Sequence, residues 1–117
     1  MRMRRLFLLV IVALQTMTFV SCGMIFRDMD HLPEGELLAT YDSPSAKYAV
    51  NIYLCGGGAT VDFSIRGELV EGEGRKNIYW NYHEQEAVVE WLDEETVSIN
   101  GRVLNVLEDV YDYRAHP

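Results

Sequence analysis

From Glu36 onward, apolar and polar residues alternate with a period of two, the signature of half-buried strands. Tyr48, Val50, Ile52 and Leu54 interleave with Lys47, Ala49, Asn51 and Tyr53, and Gly56-Gly57-Gly58 follows as a turn. Val61, Phe63, Ile65 and Leu69 interleave with Thr60, Asp62, Ser64, Arg66 and Glu68, completing a hairpin. After a turn at Glu71-Gly72-Glu73-Gly74, Ile78, Trp80 and Tyr82 alternate with Asn77, Tyr79, Asn81 and His83. Ala87, Val89 and Trp91 mark a further strand, ended by Asp93-Glu94-Glu95. The last hairpin is the clearest. Thr96-Val97-Ser98-Ile99 meets Asn100-Gly101, a strong two-residue turn signal, and Arg102 to Val106 returns. That turn sets Ile99 opposite Arg102 and Val97 opposite Leu104, so Val97, Ile99, Leu104 and Val106 share one face.

No helical stripe interrupts this pattern, and Val106 to Tyr113 reads as a turn of helix or an edge strand. The expected fold is all-β, an antiparallel meander of six or seven short strands forming a small sandwich or a partly closed barrel. Its expected core is Trp80, Trp91, Phe63, Tyr48, Ile52 and Ile65. Alternation then puts Tyr53, Asp62, Ser64, Arg66, Tyr79, Asn81 and His83, with Asn51, on the opposite face. This polar, aromatic surface is the candidate binding face. It could take a small polar ligand or the rim of an envelope protein, or it could be a solvated outer face.

The first residues have a different pattern. Arg2, Arg4 and Arg5 precede an unbroken apolar run from Leu6 to Leu14, and Phe19-Val20-Ser21-Cys22 resembles a lipoprotein cleavage box. Residues 1–22 therefore read as an export signal with Cys22 as the lipidation site. The alternatives are a signal-anchor helix over residues 6–26, an uncharged stretch long enough to span a bilayer, or ordinary cleavage. Each places the following domain outside the cell membrane, because the arginines come first. Residues 23–35 read as a short, turn-prone tether and residues 36–114 as the extracytoplasmic β domain, held to the membrane by lipid or helix.

Charge sharpens that reading. The chain has 18 acidic and 10 basic residues. All of the acidic ones but only seven of the basic ones follow Cys22, so the exported part is more acidic than the whole. Such a surface excludes nucleic acid as a partner and suits solubility, a cationic partner or divalent cations. Cys55, one of two cysteines, ends an apolar strand and reads as a buried small hydrophobe.

Catalytic and cofactor signals are weak. Gly56-Gly57-Gly58 has no following Lys-Ser/Thr and is not a phosphate loop. His83-Glu84-Gln85-Glu86 lacks the paired histidines of a zinc helix, and neither Asp28 with Asp30 nor Asp93-Glu94-Glu95 has a calcium-loop pattern. No Gly-x-Ser-x-Gly occurs, and the exported histidines are His31, His83 and His116. No cofactor, metal or catalytic residue is expected. A binding module of the cell envelope ranks first, an inhibitor or immunity-type protein second, and an enzyme using Asp62, Arg66, Glu68 or His83 last.

One set of segments goes further. Asp28-Met29-Asp30, Leu32-Pro33-Glu34-Gly35-Glu36, Ser43-Pro44 with Lys47-Tyr48, Gly57-Gly58-Ala59-Thr60-Val61-Asp62, Ile65-Arg66-Gly67-Glu68-Leu69, Lys76 to Tyr82 and Ile99-Asn100-Gly101 together resemble a bacterial family of small membrane-anchored proteins, domain-of-unknown-function family 5412. The resemblance covers nearly all of Asp28 to Arg114. It implies a small β domain behind one apolar segment and no particular activity. Many members have a plain membrane helix without a cysteine box, which keeps the anchor-helix alternative open. Cys55 departs from the family pattern, in which a polar residue precedes the glycines.

Overall fold

The computed structural model describes residues 29–115. Residues 1–28, on which the expected signal or anchor, the lipidation site Cys22 and the first part of the expected tether fall, lie outside the described residues. Eight strands form two sheets: β1 Glu36–Asp42, β2 Ala49–Gly56, β3 Phe63–Glu71, β4 Gly74–Tyr82, β5 Val89–Trp91, β6 Thr96–Ile99, β7 Arg102–Asn105 and β8 Tyr111–Asp112. The larger sheet runs β1-β2-β3-β4-β8 and the smaller β5-β6-β7. The fold is all-β, as the alternation implies, and a single 3-10 turn, Tyr113–Ala115, follows β8.

Local chemistry explains most of these elements. Asn100 and Gly101 both have positive φ, 49° and 82°, the geometry that lets a two-residue turn match strand twist. Their hairpin pairs Ile99 with Arg102 and Val97 with Leu104. Val97, Ile99, Leu104 and Val106 are all buried. They meet Val50, Ile52, Ile65 and Leu69 of the larger sheet in one core.

The structure departs from the sequence expectation in four places. The strand count is eight, and β8 runs parallel to β4 rather than extending a meander. Asp62 and Val61 precede β3 and are exposed in the loop. The pairing of β3 with β4 shifts register between Gly67 and Glu68: Gly67 opposes Tyr79, Glu68 opposes Asn77, and Ile78 is the extra residue. Ile78 and Tyr79 are consequently both fully buried in the core. The phase of β4 is reversed beyond the bulge, so Trp80 opposes Arg66 and Tyr82 opposes Ser64. Gly67 makes room for this. A Cβ there would lie 2.9 Å from Tyr79 Cβ and 3.3 Å from Ile99 Cδ1. Finally, Trp91 and Phe63 are only partly buried. Trp91 packs at the core's edge and donates its indole N–H to the Tyr41 carbonyl at 3.0 Å.

The larger sheet thus has one face against the smaller sheet. On its other face lies the start of the described chain. Asn77 Nδ2 donates to the Met29 carbonyl at 2.7 Å, and Cys55 Sγ lies 3.6 Å from the Pro33 carbonyl. Gly35, with φ of 74°, lets this segment approach: a Cβ would fall 2.6 Å from Cys55 Sγ. At the far side Tyr113 stacks beside Tyr82 and lies tilted against Trp80.

Candidate functional site

Arg66 is the centre of the face singled out from the sequence. Strand β3 places it among Tyr53 of β2 and Trp80 of β4. Its residue exposure is 5%, so it is a buried cation rather than a surface one. Burying a guanidinium is costly unless its donors are used. Here Nη1 donates to Asn77 Oδ1 at 2.8 Å and to Glu68 Oε2 at 3.4 Å, and Nη2 donates to the Glu34 carbonyl at 2.6 Å. The guanidinium also stands 3.9 Å over the Tyr53 ring. Its Nε is buried with no acceptor among the described residues.

Glu68 is the counterion and the hub of this network. It accepts from Asn51 Nδ2 at 3.3 Å, Tyr53 hydroxyl at 3.3 Å and Arg75 Nη1 at 3.0 Å. Burial pushes its carboxyl up. The hydrogen bonds from Asn51 and Arg75, with the charge of Arg66, outweigh that and hold it below the usual carboxylate range. Cys55 is buried beside them, and burial pushes its thiol up against the opposing pull of Arg66.

The candidate residues therefore separate into three groups. Tyr53, Ser64 and Arg66 share one face, but the segment from Met29 to Gly35 covers it, and Ser64 is itself buried. Tyr79 and Asn81 lie on the opposite face, against Gly67 and Ile65, because the bulge inverts the strand's phase. The Tyr79 hydroxyl donates to Glu84 Oε1 at 2.6 Å and its ring stacks on Tyr111 at 5.4 Å. Burial first, then the bond to Glu84, pushes that phenol well above its ordinary value. Arg102 caps the pair, 3.9 Å from Glu84 and 4.2 Å above the Tyr111 ring.

Asp62 and His83 form the third group, at the end of the sheet. His83 Nδ1 lies 2.7 Å from Asp62 Oδ2, and the Tyr82 hydroxyl accepts from the Asp62 backbone N–H at 3.1 Å. The hydrogen bond to His83, then the Phe63 amide, lowers the Asp62 carboxyl. The His83 side chain is 69% exposed. A His–Asp pair orients an imidazole for proton transfer, but both side chains of this one are largely in solvent.

Sequence reasoning placed Glu34 and Met29 outside the β domain, and it read Asn77 in phase with the polar set without singling it out. Asn77 was legible only as a polar strand position and Glu34 as part of a turn. No local pattern reports that a tether folds back onto a strand more than thirty residues away. A different feature of the surface stands out. Residues 84–110, which build the smaller sheet and its flanks, contain eight acidic residues and one basic residue, Arg102. On its outer side Val88, Leu92 and Val103 are exposed, and Glu90 shares a row with Ser98 and Val103. A separate cleft of about 300 Å³, lined by Leu69, Lys76, Val106 and Leu107 among others, opens between the β3–β4 end of the larger sheet and the segment after β7. Among the described residues no three His, Cys, Asp or Glu side chains gather as metal ligands.

No curated protein and no solved structure matches the chain. Residues 3–116 match the family of unknown function DUF5412, a span that takes in both the apolar N-terminal stretch and the whole β domain, and the chain belongs to that family.

Proposed function

We propose that this chain is a membrane-anchored domain on the extracytoplasmic side of the cell envelope, a lipoprotein through Cys22 or a signal-anchored protein, and that it is a binding module for a cationic protein partner. The anchor rests on the arginines before the uncharged stretch Leu6 to Phe26. The family match across that stretch and the domain supports reading them as one unit. The two sheets sharing one core read as a small sandwich.

The observation that carries the binding role is charge segregation. The acidic residues 84–110 build the sheet farthest from the docked tether. Their outer side combines exposed Val88, Leu92 and Val103 with carboxylates. Apolar anchors within an acidic rim fit a basic, partly apolar surface, and the field speeds encounter with it. The polar face around Arg66 is committed to holding the tether. An inhibitor of a cationic toxin or hydrolase is a special case of this reading.

The test is cross-linking of the full-length protein in native membranes, compared with a variant carrying Glu86→Gln, Glu90→Gln and Val103→Ser. The reading expects a basic partner captured by the parent and lost from the variant. Capture that is identical for the two, or none above background, removes it. Recovery of the protein in the soluble fraction removes the anchor.

A further inference from the structure

We infer that the rim of the larger sheet around Met29, Arg75 and Arg114 rests on the headgroups of the anchoring bilayer, with the acidic smaller sheet turned away from it. The inference rests on the anchor reading above. The tether is not free chain. Asn77 holds the Met29 carbonyl, Arg66 holds the Glu34 carbonyl, and Cys55 sits against the Pro33 carbonyl. Residues 29–35 are thereby part of the domain, and only what precedes Met29 can act as a spacer.

That spacer is short. The uncharged stretch ends at Phe26, three residues before Met29. Three residues reach at most about 11 Å at ~3.6 Å each. The headgroup region on each side of a bilayer is roughly 5–8 Å deep. A spanning helix over residues 6–26 therefore puts Met29 at the headgroup surface. From a lipidated Cys22 the reach is about 25 Å, still less than the roughly 30 Å length of nine-residue β4. A spanning helix therefore holds the domain against the membrane, while a lipidated Cys22 leaves it that much more slack.

Charge selects which side faces down. Of the seven basic residues after Cys22, Arg75 and Lys76 follow one another on β4 just before Asn77, and Arg27 precedes Met29 in the sequence. Arg114 Nη2 lies 3.8 Å from Met29 Sδ. Glu68 pairs with Arg75 and Asp112 with Arg114. Glu71 and Glu73 in the adjoining turn leave the rim mildly acidic, while residues 84–110, with eight acids and one base, are strongly so. An anionic leaflet repels the strongly acidic sheet more than the mildly acidic rim, where exposed Arg75 stands against lipid phosphates.

The experiment uses the full-length protein in vesicles of phosphatidylcholine and phosphatidylglycerol doped with a headgroup nitroxide lipid, read by amide signal broadening. The expected result is flotation with the vesicles, with broadening strongest at residues 29–31, 75–77 and 113–115 and weakest at 88–92. Inserting about ten Gly/Ser residues before Met29, a flexible spacer of roughly 17 Å mean reach, should leave flotation intact and reduce the broadening several-fold. Flotation with uniform weak broadening, or broadening strongest at residues 88–92, overturns the apposition and leaves the anchor standing. Failure to float overturns both.

Discussion

Arg66 Nη2 donates to the backbone carbonyl of Glu34 at 2.6 Å, tying the middle of a central strand to a segment 32 residues earlier. The same guanidinium is paired with Glu68 and Asn77, so one buried cation joins the segment from Met29 to Gly35 to the sheet.

Loss of that cation should cost stability first. Arg66→Ala leaves the Glu68 carboxylate with Arg75 as its remaining charged partner and frees the Glu34 carbonyl. The expected cost is about 3 kcal/mol or more, the range for breaking a buried ion pair, out of roughly 5–15 kcal/mol for a domain of this size. Denaturant unfolding measures it, and hydrogen exchange at residues 29–35 should accelerate in the same variant. A loss below about 0.5 kcal/mol, typical of a surface substitution, would place Arg66 in solvent.

The close approach at Gly35 gives a paired comparison. Gly35→Ala meets both a positive φ and a clash with Cys55 Sγ and the Leu54 carbonyl. Gly72→Ala has positive φ but open space around the new Cβ. The first should cost more than the second, with about 1–3 kcal/mol of strain at Gly35. Equal thermal midpoints for the two variants would show that the tether leaves the sheet in solution.

Tyr79→Phe removes a buried donor to the Glu84 carboxylate. The expected loss is about 1.5–3 kcal/mol, the worth of a hydrogen bond to a charged group. The raised phenol also predicts behaviour in alkali. The folded state keeps this proton above the ordinary tyrosine value of about 10. Its contribution is therefore full below that value and lost as pH rises toward the folded one. Spectrophotometric titration should show one tyrosine that ionises only on unfolding, and Tyr79→Phe should abolish that step.

Acid stability should depend on Glu68. Its carboxyl sits below the usual range in the folded protein, so the unfolded chain binds more protons as acid is added. Its stabilisation is present above the ordinary glutamate value of about 4.3 and disappears as pH falls through the folded value. Glu68→Gln should flatten the fall in unfolding free energy below about pH 5. An unchanged acid limb would mean that Glu68 is solvated.

The sequence by itself determined the all-β class, the Asn100-Gly101 hairpin with its register, and the shared face of Val97, Ile99, Leu104 and Val106. These follow from period-two alternation and from turn residues that accept positive φ, both local properties. Tertiary structure decided what lies on which side of β4. One extra residue, Ile78, opposite Gly67 inverts the phase of everything after it, and alternation continues unbroken through such a bulge. It turned Trp80 to the Arg66 side and sent Tyr79 and Asn81 to the core side. It also decided that Arg66 is buried, because the cover comes from Met29 to Gly35, remote in sequence and carrying no pattern beyond a proline and a glycine. Two-residue β8 lies parallel to β4, a pairing set by where the chain end can reach, and a segment that short has no period to read.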